Sequence, residues 1–256
     1  MTSPLKVFIT GASSGIGLAL AAEYARRGAI LGLVARRGEM LAEFAQRFPT
    51  LSISIYPADV RDAGALAAAA AQFIARHGVP DVVIANAGIS KGVVTGHGDL
   101  AAFREVMDVN YFGMVATFEP FATQMRTARH GTLVGVASVA GVRGLPGSGA
   151  YSASKAAALK YLESLRVEMR PFGVAVVTIA PGYIRTPMTD GNAYRMPFLM
   201  EADVFARKTA DAIARKTRFA IFPWQMRAAA WLLSILPRWL YDRALEKAPR
   251  KPRASE

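Results

Sequence analysis

Short apolar runs alternate with longer segments of helical periodicity along almost the whole chain. The apolar runs are rich in Val and Ile and do not alternate strictly with polar residues, which is typical of strands buried on both faces. The predicted strands are 6–10, 30–35, 52–56, 82–85, 132–137, 174–179 and 219–222, and the predicted helices are 15–27, 38–48, 62–77, 99–129, 151–170 and 201–216. This order predicts an α/β fold with a doubly wound parallel sheet of about seven strands and helices on both faces.

No internal repeat or linker interrupts this pattern. A chain of 256 residues with 52% hydrophobic residues is long enough and apolar enough for one α/β domain with a large core. We therefore predict a single domain over residues 1–247, followed by a flexible tail at 248–256, where Pro, Lys and Arg predominate.

A glycine-rich turn follows the first predicted strand and leads directly into the first helix. Its residues are Gly11, Ala12, Ser13, Ser14, Gly15, Ile16 and Gly17. Glycines at such a turn let the backbone approach a pyrophosphate, whose charge is favoured by the helix N-terminus. The spacing is GxxxGxG and not the commoner GxGxxG, and three glycines alone could form an ordinary strand–helix turn. Their position between strand and helix favours a dinucleotide site.

Two arginines, Arg36 and Arg37, follow the second predicted strand. A carboxylate at this place would bind the ribose 2′-hydroxyl of NAD, whereas arginine accommodates the 2′-phosphate of NADP. Because the acid is missing, we expect NADP(H) to be preferred over NAD(H). The alternative is that both arginines are exposed at the start of a surface helix.

Tyr151 and Lys155 lie four residues apart, and Ser138 ends an apolar run thirteen positions before Tyr151. Residues at i and i+4 share a helix face, so a cation would lie beside a phenol. A nearby positive charge lowers the pKa of a tyrosine from its usual value of about 10. These three residues therefore predict acid–base chemistry.

Together these features resemble the short-chain dehydrogenase/reductase family in its compact one-domain, Rossmann-like form, over about residues 5–190. The matching motifs are the turn Thr10-Gly11 with Gly15-Ile16-Gly17, the pair Asp59-Val60, the triplet Asn86-Ala87-Gly88, the set Asn110, Ser138, Tyr151 and Lys155, and Pro181-Gly182 with Thr186. One departure is Ala85, which stands where many members carry a first asparagine.

The resemblance implies an enzyme that transfers a hydride between NADP(H) and a carbonyl or secondary alcohol. Ser138 would hold the carbonyl oxygen, Tyr151 would protonate it, Lys155 would tune Tyr151 and bind the nicotinamide ribose, and Asn110 would anchor the lysine through water. The implied cofactor-binding residues are Gly11, Ser13, Ser14, Gly15, Ile16, Gly17, Arg36, Arg37, Asp59, Val60, Asn86, Ala87, Gly88, Tyr151, Lys155, Pro181, Gly182, Ile184 and Thr186. The family commonly forms homodimers or homotetramers through two long helices, here 99–129 and 151–170.

By the same resemblance, the substrate is expected beside a lid at residues 183–200. Met188, Met196, Phe198 and Met200 make this segment apolar, although they could equally belong to the core. We therefore hypothesise a hydrophobic ketone, such as a fatty-acyl, sphingoid or sterol-like compound. Its predicted contacts are Ser138, Val142, Leu145, Tyr151 and Met188.

Composition and charge limit which metals, partners and locations are expected for the chain. The chain has no cysteine, and its three histidines lack ligand spacing, so no metal site is expected. The net charge is +12, with thirteen basic and six acidic residues from Arg195 onward. Because no nucleic-acid-binding motif is present, a solvated face plus a phosphate site is the favoured interpretation of this charge. A cytoplasmic protein is expected, with peripheral contact to the inner face of a membrane left open.

Residues 224–245 contain all three tryptophans and an uncharged stretch of ten residues. This apolar C-terminal segment could lie in a membrane interface, or it could cover a partner subunit or the protein's own pocket. Packing against protein is favoured, and Pro237 is expected to kink the segment. The alternative to an enzyme is a catalytically silent nucleotide-binding or membrane-surface scaffold on the same fold, although an intact catalytic set argues against it.

Overall fold

Seven parallel strands form one sheet in the order β3-β2-β1-β4-β5-β6-β7. Their bounds are β1 Lys6–Thr10, β2 Ile30–Ala35, β3 Ile53–Pro57, β4 Val82–Ala85, β5 Thr132–Val136, β6 Ala175–Pro181 and β7 Phe219–Phe222. The computed structural model describes residues 3–190, 192, 195–246 and 251–253. The predicted doubly wound parallel sheet is confirmed.

Helices connect the strands and cover both faces of the sheet. Their bounds are α1 Gly15–Arg26, α2 Gly38–Gln46, α3 Ala63–His77, α4 Leu100–Met107, α5 Gly113–Ala128, α6 Gly149–Met169, α7 Pro187–Asp190, α8 Ala202–Ala214, α9 Trp224–Ile235 and α10 Arg238–Leu245. One core layer packs α1, α2 and α8 on the sheet around Leu20, Phe44 and Phe205. The other packs α3, α5 and α6 around Phe73 and Leu162.

The strand order reverses between β1 and β4, and this reversal positions the site. From β1 the chain builds outward to β2 and β3, then returns to pair β4 with the other side of β1, with Val7 beside Val82. The loops that follow β1 and β4 therefore diverge in opposite directions. In open α/β sheets such a switch point opens a crevice at the carboxyl ends of the strands.

The predicted long helix at 99–129 is divided in the structure. A π-helical turn, Asp108–Phe112, separates α4 from α5, and Asn110 lies within it. A π-helical turn holds more residues than an α-helical turn, so it rotates the residues that follow around the helix axis. Such turns are often found at functional sites. Smaller differences affect strand ends, since β3 and β6 each begin one residue later than predicted.

The apolar segment 224–245 forms two helices that are interrupted at Pro237, as predicted. Pro237 precedes the first turn of α10 in an extended conformation and has no N–H to continue α9. Part of the predicted tail lies outside the described residues. Its residues 251–253 lie against the loop before α4, where Arg253 forms a 3.1 Å ion pair with Asp99 and pairs with Gly92.

Candidate functional site

One cleft opens at the carboxyl ends of the strands, on both sides of the switch point. Most of the predicted site residues line it together: Gly11, Ser13, Ser14, Gly15, Ile16, Arg36, Arg37, Asp59, Val60, Asn86, Ala87, Gly88, Ser138, Tyr151, Lys155, Pro181, Gly182, Ile184, Thr186 and Met188. Residues far apart in the chain therefore share one surface. Two predicted residues, Gly17 and Asn110, lie behind this surface and shape it.

The glycine-rich turn forms a tight cradle that side chains would fill. Gly11 and Gly15 have positive φ angles of 70° and 55°. A Cβ on Gly17 would lie 2.1 Å from the carbonyl oxygen of Gly11, and a Cβ on Gly11 would lie 2.8 Å from the Cα of Ala87. The N-cap residue of α1, Ser14, makes no side-chain hydrogen bond to the first turn. This open backbone at a helix N-terminus fits the pyrophosphate of a dinucleotide.

The turn is tied to the end of β4 by Thr10 and Asn86. The side-chain amide of Asn86 donates to the carbonyl oxygens of Thr10, at 3.1 Å, and Gly11, at 3.3 Å. The Thr10 hydroxyl in turn accepts the backbone N–H of Asn86 at 3.3 Å. These bonds span the switch point, so the two halves of the cleft are held in register. Each buried polar group in this set is satisfied.

The far end of the cleft is cationic. Arg36 and Arg37 are exposed at the end of β2, and the Arg37 guanidinium donates to the Ser13 hydroxyl at 3.2 Å. Asp59 follows β3 and accepts hydrogen bonds from the Arg61 guanidinium, the shortest at 2.7 Å. This guanidinium holds the pKa of the Asp59 carboxyl below its usual value. The two guanidiniums could bind an anionic group such as a phosphate at this end of the cleft.

Tyr151 and Lys155 lie in the first two turns of α6. The Lys155 ammonium is 5.8 Å from the centroid of the Tyr151 ring and donates to the carbonyl oxygen of Val136 at 2.9 Å. Lys155 is only 3% exposed. Burial disfavours its charged form and lowers the pKa of this lysine from 10.5 to about 8. A cation is therefore held beside the phenol at neutral pH.

Ser138 follows β5 in an extended conformation and begins a short 3₁₀ turn, Val139–Gly141. Its hydroxyl accepts the backbone N–H of Ala140 at 3.1 Å and lies 3.5 Å from the carbonyl oxygen of Pro181. The first bond uses one lone pair of the oxygen, and the second is long for a hydroxyl donor. The hydroxyl proton can thus turn towards an acceptor in the cleft.

Asn110 is completely buried and connects the loop after β4 to α6. Its Oδ1 accepts the backbone N–H of Ile89 at 2.7 Å, and its Nδ2 donates to the carbonyl oxygen of Ile89 and to the hydroxyl of Ser154, both at 2.9 Å. Ser154 donates to the carbonyl oxygen of Tyr151 at 2.8 Å. Asn110 is thereby linked to the Tyr151 backbone, while the water-mediated link to Lys155 stays a prediction.

The segment after β6 closes one side of the cleft. Ile184 pairs with Met200, and the Thr189 hydroxyl donates to the Ile184 carbonyl oxygen at 2.7 Å while it accepts the backbone N–H of Thr186 at 3.0 Å. These bonds define the turn that carries Met188, which is 42% exposed. Residues 191, 193 and 194 of the predicted lid lie outside the described residues.

The other two predicted substrate residues are not among those that line the cleft. Val142 packs against a small apolar cluster in which Met226 and Ala230 of α9 meet Ala180 and Ile221 of the sheet. The backbone N–H of Leu145 donates to the Ser152 hydroxyl at 3.1 Å. Both residues lie on the loop that leads from Ser138 to α6, so they border the site rather than face it.

The sequence interpretation missed several residues of the site. Val136 supplies the carbonyl acceptor for Lys155, and Ser154 links Asn110 to α6. Ser154 directly precedes Lys155, and its place in that motif was an available signal. The role of Val136 gave no such signal in the sequence, because every residue carries a backbone carbonyl. Other lining residues that were not predicted are Ala35, Ala58, Ile89, Val109, Ala137, Pro187 and Thr189.

Comparison with known proteins agrees with this geometry. The family model for short chain dehydrogenases matches residues 6–195. An uncharacterized oxidoreductase of Myxococcus xanthus is 36% identical over 93% of this chain and 95% of its own length. The 11-beta-hydroxysteroid dehydrogenase A of Sesamum indicum is 32% identical over 96% of this chain and 77% of its own. The crystal structure of a short-chain dehydrogenase from Streptomyces avermitilis superposes with a TM-score of 0.82 at 26% identity, covering 96% and 97% of the two chains.

Proposed function

The chain belongs to the short-chain dehydrogenase/reductase family of oxidoreductases, and from this we propose that it reduces a hydrophobic ketone with NADPH. One observation carries this proposal above all. A single cleft has Arg36 and Arg37 at one end and Ser138, Tyr151 and Lys155 at the other. The glycine-rich turn lies between these two ends. This order matches an extended dinucleotide, with the 2′-phosphate at one end, the pyrophosphate in the middle and the nicotinamide beside the reacting carbonyl.

The residues of the cleft fit NADP. Gly11, Gly15 and Gly17 leave the backbone open to the pyrophosphate, and the N-terminus of α1 favours its charge. Arg36 and Arg37 would bind the 2′-phosphate, for which a planar fork of donors is well suited. Asp59 and Val60 would border the adenine, and Pro181, Gly182, Ile184 and Thr186 would border the nicotinamide. When bound, the cofactor supplies the hydride.

Ser138 and Tyr151 carry the carbonyl chemistry. The Ser138 hydroxyl would donate to the carbonyl oxygen and orient it. As the carbonyl carbon accepts the hydride, Tyr151 would give its phenolic proton to the same oxygen, and the product is a secondary alcohol. The hydrogen bond from Ser138 and the preorganised phenol would stabilise the charge that develops on oxygen.

Lys155 supports Tyr151 by its charge. Its ammonium lies on the same helix face, one turn further, and is fixed by the carbonyl of Val136. A cation at this place favours the phenolate that remains after proton transfer. Asn110 is a positioning residue: through Ile89 and Ser154 it fixes the backbone at Tyr151 and the loop that carries Gly88. Gly88 leaves room for both side chains, because a Cβ there would lie 3.2 Å from Asn110 Oδ1 and 3.5 Å from Lys155 Nζ.

A hydrophobic substrate is supported by the apolar side of the cleft. Met188, Ile184 and Pro187 line it beside Tyr151. The name of the sesame relative describes a hydroxysteroid dehydrogenase, which is consistent with a bulky apolar ketone. Phe112, at the end of the π-helical turn before α5, and Val167, on α6, are both exposed, which supports a homodimer or homotetramer. The proposed location is the cytoplasm.

A carbonyl panel tests this function. The purified protein is incubated with NADPH or NADH and with long-chain ketones, steroid ketones and small polar sugars, and cofactor oxidation is followed by absorbance. We expect oxidation of NADPH with the apolar ketones. Cofactor binding without turnover of any carbonyl would instead indicate a silent scaffold, and preference for polar sugars would refute the apolar substrate.

A further inference from the structure

Six large apolar side chains are exposed on the consecutive helices α9 and α10, and together we call them the tryptophan ridge: Trp224, Trp231, Leu232, Ile235, Trp239 and Leu240. The three tryptophans are 72%, 65% and 69% exposed. They are also all the tryptophans of the chain. Single exposed apolar residues need no explanation, but a cluster of this size marks an interaction surface.

The geometry of α9 separates an inner face from an outer face. Met226 and Ala230 are buried and pack against Ala180 and Ile221. Trp224, Trp231 and Ile235, spaced by seven and then four residues, lie on the opposite side. The protein's own core is therefore satisfied by the inner face. Among the residues that the structure describes, none buries the outer face, which stays exposed to another occupant.

The charges around the ridge indicate what that occupant is. Arg227, Arg238 and Arg243 lie on the same two helices and are exposed, and they outnumber the acidic residues there, Asp242 and the α10 C-cap residue Glu246. A second copy of the chain docked by the same surface would bring these arginines together, because a two-fold interface is self-complementary only if its charges are. A bilayer with anionic headgroups offers both an apolar interior and negative charge.

We propose that the tryptophan ridge docks onto the surface of a bilayer that contains anionic phospholipids. Tryptophan rings prefer the boundary between headgroups and acyl chains, where the indole N–H stays hydrated. The basic residues beside them meet the headgroups. None of the helices among the described residues is long and apolar enough to cross a bilayer. Docking in the plane of the membrane follows from the inner face of α9, which stays packed on the protein while the outer face meets the lipid.

The ridge is attached firmly to the loop that follows Ser138. The Arg143 guanidinium donates to the carbonyl oxygens of Leu233 and Leu236 at 3.0 and 3.1 Å. It also stacks over the Tyr241 ring, 4.2 Å from the centroid, while the Tyr241 hydroxyl donates to the carbonyl of Gly144. Docking thus places the border of the cleft at the membrane. The binding itself does not depend on the proposed reaction.

Intrinsic fluorescence of the full chain tests the proposal, because every tryptophan lies on the ridge. The protein is titrated with vesicles of phosphatidylcholine alone and with vesicles that also contain phosphatidylglycerol, each with and without bromine on the acyl chains. We expect a blue shift and bromine quenching with the anionic vesicles, weakened by salt. No quenching by anionic vesicles would overturn the proposal, and so would equal binding to both compositions.

A second experiment measures, by flotation, how strongly each variant partitions onto anionic vesicles. The double variant Trp231→Ser/Trp239→Ser should lower the partition coefficient by about tenfold or more. Arg227→Gln/Arg238→Gln should lower it by roughly fivefold for each arginine. The controls are Leu100→Ser, where Leu100 is 62% exposed elsewhere, and Arg47→Gln/Arg104→Gln. Equal losses in the controls, or burial of the tryptophans in an oligomer without lipid, would contradict membrane docking.

Discussion

Lys155 and Val136 are joined by a 2.9 Å hydrogen bond from the lysine ammonium to the backbone carbonyl at the end of β5. This bond crosses from α6 to the centre of the sheet and fixes the ammonium beside the cleft. The lysine is almost completely buried, and burial lowers its pKa to about 8. A charge held in this place stabilises a phenolate at the site, but it destabilises the fold.

Lys155→Met should therefore stabilise the protein in a pH-dependent manner. In the unfolded chain the lysine keeps a pKa near 10.5, so the folded state binds fewer protons between pH 8 and 10.5 and the wild type gains stability as the pH rises. The free energy of unfolding of the variant relative to the wild type should be highest below pH 8. It should fall by about 2 kcal/mol between about pH 7 and pH 9.5. Urea unfolding at several pH values measures this.

Lys160→Met is the matched control, because Lys160 lies on the same helix and is exposed. The change of relative stability with pH should be larger for Lys155→Met than for Lys160→Met. A pH-independent difference between Lys155→Met and the wild type would contradict the assigned pKa of the buried lysine.

Arg36→Ala/Arg37→Ala should change the choice of cofactor. Loss of the two guanidiniums proposed to bind the 2′-phosphate should weaken NADPH binding roughly 10- to 100-fold, because hydrogen bonds to charged groups contribute strongly. NADH has no 2′-phosphate and should bind almost as before. Fluorescence titration with both nucleotides measures the ratio of dissociation constants.

The control for this pair is Arg47→Ala, at the far end of α2 and exposed. It should leave both affinities unchanged apart from a small non-specific loss at low salt. If the ratio of NADPH to NADH affinity were the same in the double variant and the wild type, the NADP preference would be refuted.

Gly17→Ala should disrupt the glycine-rich turn. The new Cβ would lie 2.1 Å from the Gly11 carbonyl oxygen, so the backbone must move, at a cost of about 1–3 kcal/mol. The melting temperature should fall by about 2–4 °C for each kcal/mol, and NADPH binding should weaken as well. At Gly144 a Cβ meets nothing within 4 Å, so Gly144→Ala should change neither quantity. Equal melting temperatures and affinities for both variants would contradict the close packing of the turn.

Local signals in the sequence were sufficient to predict the strands of the sheet and most of the residues that line the cleft. Parallel strands are recognisable as Val- and Ile-rich runs, and Gly11, Arg36 and Ser138 each follow such a run directly. Because the carboxyl ends of parallel strands share one edge, residues distant in the chain could be assigned to one site. Family resemblance added Asp59 and Asn86, whose types alone carry no specific signal.

Features set by tertiary contacts could not be predicted. In the π-helical turn at 108–112, the Asn110 amide bonds to Ile89 and Ser154, which are distant in the chain. The periodicity of apolar residues does not show where a helix gains one extra residue in a turn. The pKa of Lys155 depends on its burial, which residue spacing does not reveal. Likewise, the buried face of α9 is set by Met226 and Ala230 packing inward, and the helix sequence does not reveal it because apolar residues also lie on the outer face.

The most direct test of the central claim is single-turnover oxidation of NADPH by the wild type and by Tyr151→Phe, with a ketone that the panel identifies. The variant lacks only the phenolic proton donor. We predict that NADPH binding stays within about twofold while the rate of the chemical step falls by about 100-fold or more. A Tyr151→Phe variant that oxidises NADPH at the wild-type rate would contradict the account.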